Sequence, residues 1–217
     1  KYVKEHSKAI VHKCNSSYIV DLSKNWQQKD KDLFEEIYPE LLKKCLGRKL
    51  PEFMENTENI DLIIEHKEEL LEYMPAQNVP AYYKVLMKKN IPVSQEELMA
   101  ILQKTQENAV PVLVEEVQKQ QEKWIQGNIS DIIQKCDSDS ISLLIQVLEQ
   151  NEKGQKIIEE NFDNLLQKAN ADTVLDCIEK VKDDSEIQKM FHTRHYDFLL
   201  YLVKIIPKTE INESFFG

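Results

Sequence analysis

The chain has 217 residues, enough to bury one sizeable core or to string out a row of small helical units. Only four glycines and seven prolines stand among many Lys, Glu, Gln, Leu and Ile, which argues against a turn-rich sheet and for an all-α fold. The net charge of −10 is uneven, with eleven Lys/Arg against seven Asp/Glu in residues 1–50 and 17 against 31 in the rest. A body this acidic repels phosphate backbones, which sets nucleic acid aside as a partner.

No apolar run approaches the ~18 residues of a membrane span, and no secretory leader is visible, so a cytoplasmic location is expected. Cys14, Cys45, Cys136 and Cys177 are scattered without C-x-x-C spacing, which supports neither a disulfide framework nor a zinc knuckle. The chain begins with Lys1 and ends abruptly at Ser214-Phe215-Phe216-Gly217, and is expected to be cut from a longer protein.

In chain order, Lys1–Lys13 reads as a short basic amphipathic helix through Tyr2, Val3, Ile10 and Val11, and Leu22–Leu46 as helices interrupted at Pro39. Residues 1–50 show no spacing that aligns with residues 51–217, and are expected to form an atypical N-terminal helical cap. Pro51 opens a short helix, Ile60–Tyr73 is strongly periodic and closes at Met74-Pro75, and a further helix runs from about Pro80 to Lys89. Ser94-Gln95-Glu96-Glu97 is a capping box that starts the next helix. Around Pro111 a long helical pattern through Val117 to Ile125 is kinked or begins anew.

From Trp124 onward the chain repeats. Trp124-Ile125, Asn128-Ile129-Ser130, Ile132-Ile133 and Cys136 return 33 residues later as Ile157-Ile158, Asn161-Phe162-Asp163, Leu165-Leu166 and Ala169. A third copy, Met190-Phe191, His195-Tyr196-Asp197, Leu199-Leu200 and Val203, carries one inserted residue. Asn tolerates the left-handed conformation that ends a helix and Ser or Asp caps the next, so each triplet is expected to be a tight helix–turn–helix corner. A second block, from Asp139 through Leu148, recurs from Asp172 to Val181 as a cap and a helical stripe. Units of about 33 residues, each of about three short helices, cannot bury their own apolar stripes, which predicts a superhelical solenoid over residues 51–217.

The run from Glu152 to Leu166 resembles the junction between the second and third helices of an armadillo repeat, with Asn128, Asn161 and His195 where the family has its small turn residue. The resemblance covers about residues 120–203 and implies an armadillo/HEAT-like superhelix whose groove holds peptides or partner domains. The unit here is shorter than the family's ~40 residues. No equivalent of the family's groove asparagine stands at Gln134 or Gln167.

No catalytic, cofactor or metal constellation stands out, and the chain is expected to be non-enzymatic. His192 and His195 straddle a predicted corner, and Cys136 and Cys177 fall on apolar repeat positions. The residues expected to meet a partner are Trp26, the pairs Glu115-Glu116 and Glu159-Glu160, and Phe198 and Tyr201 in the apolar stretch Tyr196–Ile206. Trp26 alternatively seals a core end. The expected function is that of a scaffold or adaptor binding a partner protein or basic peptide on an acidic helical surface. The alternatives are a membrane-trafficking adaptor touching lipid through residues 1–13, and a substrate-positioning arm of a larger enzyme or effector.

Overall fold

A computed structural model describes residues 2–170 together with 172 and 173, and every regular element among them is helical. The chain divides by its contacts into two compact units, residues 1–106 and residues 107 onward.

In the first unit α1 (Tyr2–Glu5) and α2 (Ser7–Lys13) lead through a 3-10 turn at Ser16–Tyr18 to α3 (Ile19–Lys29). Then come α4 (Lys31–Lys44), a turn at Gly47–Lys49 and α5 (Leu50–Asn56), and after them α6 (Ile60–Glu65), α7 (Lys67–Tyr73), a turn at Ala76–Asn78 and α8 (Val79–Lys88). The last helix of this unit is α9 (Gln95–Lys104). The second unit holds a turn at Glu107–Ala109, α10 (Val110–Gln118), α11 (Glu122–Lys135), a turn at Ser138–Ser140, α12 (Ile141–Leu148) and α13 (Glu152–Lys168).

One local pattern recurs through both units. A helix stops at a residue in extended conformation, namely Cys14, Cys45, Met74, Thr105, Cys136 or Ala169. These positions are 31, 29, 31, 31 and 33 residues apart. Five residues after each of the first five stands an aliphatic side chain, Ile19, Leu50, Val79, Val110 or Ile141, with 0 % exposure. It opens the next helix from inside the core. Pro51, Pro80 and Pro111 follow it at the second helical position, where a missing amide costs nothing. Side chains at the turns accept the amides left over: Asn15 from Ser17 at 3.0 Å, Asp137 from Ser140 at 2.8 Å and Asn170 from Thr173 at 2.8 Å. Residues 1–50 thus carry the same order of elements as the segments after them.

Eight residues before the extended position, four of these helices depart from helical geometry at a single residue. His6 (φ −120°, ψ 10°), His66 (−107°, 17°), Asn128 (−123°, 17°) and Asn161 (−118°, 15°) all lie in the bridge region. The corners expected at Asn128 and Asn161 are therefore kinks inside α11 and α13, and their asparagines are not left-handed. Each asparagine instead donates its side-chain amide to the carbonyl four residues back, Trp124 O at 2.8 Å and Ile157 O at 2.9 Å. The left-handed asparagine is Asn90 (φ 55°), which ends α8. Its amide bonds Met87 O and that of Ile91 bonds Leu86 O, closing a Schellman motif over the buried Ile91.

Other expectations also meet the structure. The capping box is formed: Glu97 N donates to Ser94 Oγ at 3.1 Å and Ser94 N to Glu97 Oε2 at 2.7 Å. Pro39 does not interrupt α4, because Ile37, Tyr38, Leu41 and Leu42 on either side are fully buried and offset the one lost backbone bond. The pattern from Val117 to Ile125 breaks between Gln118 and Glu122.

In the first unit α2 packs on α4, α3 on α5 and α5 on α8; in the second, α11 packs on α13 and α10 on α12. In these pairs helices that precede an extended residue meet their own kind, and so do those that follow it, while α3 on α4, α10 on α11 and α12 on α13 join the two kinds. We call them leading and trailing helices. The approach is close where α12 ends against the start of α13, since a Cβ on Gly154 would lie 1.9 Å from Leu148 O. Gly154→Ala is expected to lower stability by about 1–3 kcal/mol through overpacking. Gly127→Ala, with open space around its Cβ, is expected to raise it by about 0.5–1 kcal/mol. Urea denaturation followed by circular dichroism separates the two signs.

Candidate functional site

Clefts open between successive leading helices. In the first unit Val11 and His12 of α2 face Glu40, Lys43 and Lys44 of α4 around about 340 Å³. In the second, Ile133 and Gln134 of α11 face Asn164, Gln167 and Lys168 of α13 around about 320 Å³. Counted back from the extended residue, the two clefts are built at the same positions. A further cleft of about 360 Å³ lies among α7, α8 and α9.

A lysine closes the leading helix beside each matched cleft. Lys44 donates to His12 O at 3.2 Å and Lys168 to Gln134 O at 3.0 Å, and Lys104 makes the same bond to Glu72 O at 2.9 Å. The acceptor is always the second residue before the extended position of the preceding leading helix. A helix end leaves carbonyls without amide partners, and a cation there also meets the favourable end of the helix dipole. The bond therefore serves two helices at once. Lys13 and Lys135 hold the corresponding place, which Tyr73 fills in α7.

Lining chemistry differs from cleft to cleft. The α2–α4 cleft is basic, with Lys8 of the same surface engaged by Glu40 at 2.9 Å. The α11–α13 cleft is polar and carries side-chain amides. The cleft among α7, α8 and α9 has an apolar floor of Leu71, Tyr82, Leu86, Val93 and Ile101 and an acidic rim of Glu68 and Glu96. Lys67, only 15 % exposed at its side chain, is held there by Glu97 Oε1 at 2.5 Å and Pro92 O at 3.0 Å. Burial raises the Glu97 carboxyl pKa, but the bonds from Lys67 and the Ser94 amide outweigh it and hold the pKa low.

The residues singled out in the sequence are dispersed. Trp26 on α3 is 7 % exposed, so its indole belongs to the core. Glu115 and Glu116 lie half-buried on the trailing helix α10, with Lys119 at 3.8 and 3.0 Å. Glu159 and Glu160 are exposed on the leading helix α13, where Glu160 meets Lys156 at 3.8 Å. The two acidic pairs thus stand on helices of different kinds. Phe198 and Tyr201, with Cys177, His192 and His195, lie outside the described residues. In the basic N-terminal helix Val11 is 1 % exposed and packs inward, so it is not on offer to a lipid surface.

Of the cleft residues, sequence reasoning reached only Gln134 and Gln167, as groove positions; the others were missed because their place is set by their distance from a helix end whose location only the fold reveals. The recurring terminal lysine was the readable signal.

No helix among the described residues is long and apolar enough to cross a membrane, and no three His, Cys, Asp or Glu among them gather as a metal set would. No protein-family model matches the chain, and no curated protein or solved structure gives a match.

Cys45 and Cys136 hold the extended positions after α4 and α11. Burial pushes both thiols up to about 12, which suits packing and not nucleophilic chemistry. In the folded chain both are expected to react with iodoacetamide at least about a hundredfold more slowly than a free thiol, and at the ordinary rate in denaturant. Peptide mapping by mass spectrometry reads each site.

Proposed function

We propose that the chain is a non-enzymatic α-helical repeat scaffold that binds a basic partner protein on its leading helices. The observation that carries this reading is the return of clefts at matched positions between successive leading helices. Side-chain bonds between separate elements support the repeat itself, since they join residues such as Lys44 and His12, Gln27 and Asn56, or Lys153 and Glu122, about one unit apart. Bonding between residues about one unit apart is the pattern that armadillo- and HEAT-like repeats also use. On this reading the first 50 residues are units of the array, with a period near 31 and not a uniform 33.

Charge supplies the partner's sign. The −14 balance of residues 51–217 attracts basic surfaces and speeds their encounter. Among the acidic pairs, Glu159 and Glu160 are the better placed, being exposed on a leading helix; Glu115 and Glu116 are half-covered beside Lys119.

With a purified partner in hand, Glu159→Lys together with Glu160→Lys is expected to slow association about tenfold at low salt and to flatten its salt dependence. Glu115→Gln with Glu116→Gln is expected to change it less than about twofold. Surface plasmon resonance across a salt series measures both, and an equal effect of the two pairs would overturn the assignment of the binding helices.

A further inference from the structure

We infer that the cleft among α7, α8 and α9 seats an apolar side chain carried on a basic, amphipathic segment of another protein, an inference that rests on the protein-binding reading above. Three features of this place act together.

The leading helix here is short. Helices α4, α6 and α11 each begin fourteen residues before their extended position, at Lys31 against Cys45, Ile60 against Met74 and Glu122 against Cys136. Helix α9 begins only ten before Thr105, at Gln95. Its opening turn is replaced by the left-handed Asn90, the buried Ile91 and an open stretch through Pro92 and Val93. Helix α6, which runs into α7, exposes Ile60 at 40 % and Ile64 at 44 %, two aliphatics on one helical face. Among the described residues few large apolar side chains are as exposed, and these two lead into α7, which supplies Leu71 to the cleft.

The floor is apolar and the volume is right. Leu71, Leu86, Val93 and Ile101, with the ring of Tyr82, line about 360 Å³. This is room for one large side chain and part of its backbone, and a single buried anchor of this kind commonly dominates an interface. Tyr82 is fixed from behind by its hydroxyl, which donates to Lys67 O at 3.2 Å. The walls are therefore preformed.

The rim is acidic. Glu68 on α7 and Glu96 on α9 flank the mouth and make no ion pair among the described residues, and Glu65 and Glu72 are exposed on the same helical stretch. Lys67, the one cation among the lining residues, is neutralised by Glu97. An acidic anchor would meet repulsion on both sides, and a neutral one would gain only the floor. A segment with Lys or Arg beside its apolar anchor gains both terms.

The probe is a fluorescein-labelled amphipathic helix of leucine and lysine, with a leucine and glutamate peptide of the same pattern as its twin, titrated by anisotropy against the full chain. The lysine peptide is expected to bind and its twin not. Ala100→Trp, which fills the exposed mouth of the cleft, is expected to weaken binding about tenfold, as is Glu68→Lys with Glu96→Lys. Glu36→Lys with Asp131→Lys, an exposed pair of the same charge change outside the cleft lining, is expected to leave peptide affinity within about twofold. Circular dichroism confirms that each variant is folded. Equal binding of both peptides, or equal loss in the variant outside the cleft and in the cleft variants, would overturn the inference. If Ala100→Trp leaves a purified partner's binding untouched while Glu159→Lys with Glu160→Lys abolishes it, the cleft is refuted and the scaffold reading stands.

Discussion

A helix that stops must dispose of the carbonyls its last turn leaves without amides, and most of this architecture stems from how that is done here. The chain does not curl back on glycine. It goes straight into an extended residue, drops a buried aliphatic five places later and starts a new helix from it. The stranded carbonyls are met from outside, by a lysine at the end of the following leading helix. Because one bond both completes a helix end and joins two helices, local structure and packing are not separable. A mutation at such a lysine acts on the helix behind it as much as on its own.

Legibility in the sequence tracked how local the signal was. The Ser94 capping box and the end of the Ile60–Tyr73 pattern at Met74 were readable, since both are written in adjacent side chains. Among the described residues the repeat was read where its kink residue is asparagine in successive copies at a constant spacing, at Asn128 and Asn161. In residues 1–106 the same backbone position is held by His6 and His66, α4 runs through without a kink, and the spacing shifts between 31 and 29. A fixed offset of 33 passes over all of them. What the position selects is a bridge-region backbone, which several residue types accept, so the pattern survives in dihedral angles after it has left the alphabet.

The candidate site was less legible for a different reason. Runs of glutamate can be seen in a sequence, but whether they share a face depends on which layer their helix joins. Glu115-Glu116 and Glu159-Glu160 look alike as dipeptides, yet one pair lies on a trailing helix beside Lys119 and the other on a leading one. Glu68 and Glu96 are ordinary in sequence and gain meaning only from the apolar floor between them. Trp26, the most conspicuous side chain of the N-terminal region, is buried in the core.

The stretch from the kink to the buried aliphatic does not vary. It spans thirteen residues from His6 to Ile19, from His66 to Val79 and from Asn128 to Ile141, whatever the spacing of whole units. All drift in length therefore falls between a trailing helix and the next kink, where Asn90–Ser94 and the break before Glu122 lie. The chain behaves as rigid rulers joined by adjustable spacers, and this fixes where it can accept foreign sequence. A peptide tag or loop grafted into a spacer changes the gap between two rulers, whereas a single residue added inside a ruler rotates every later side chain off its layer.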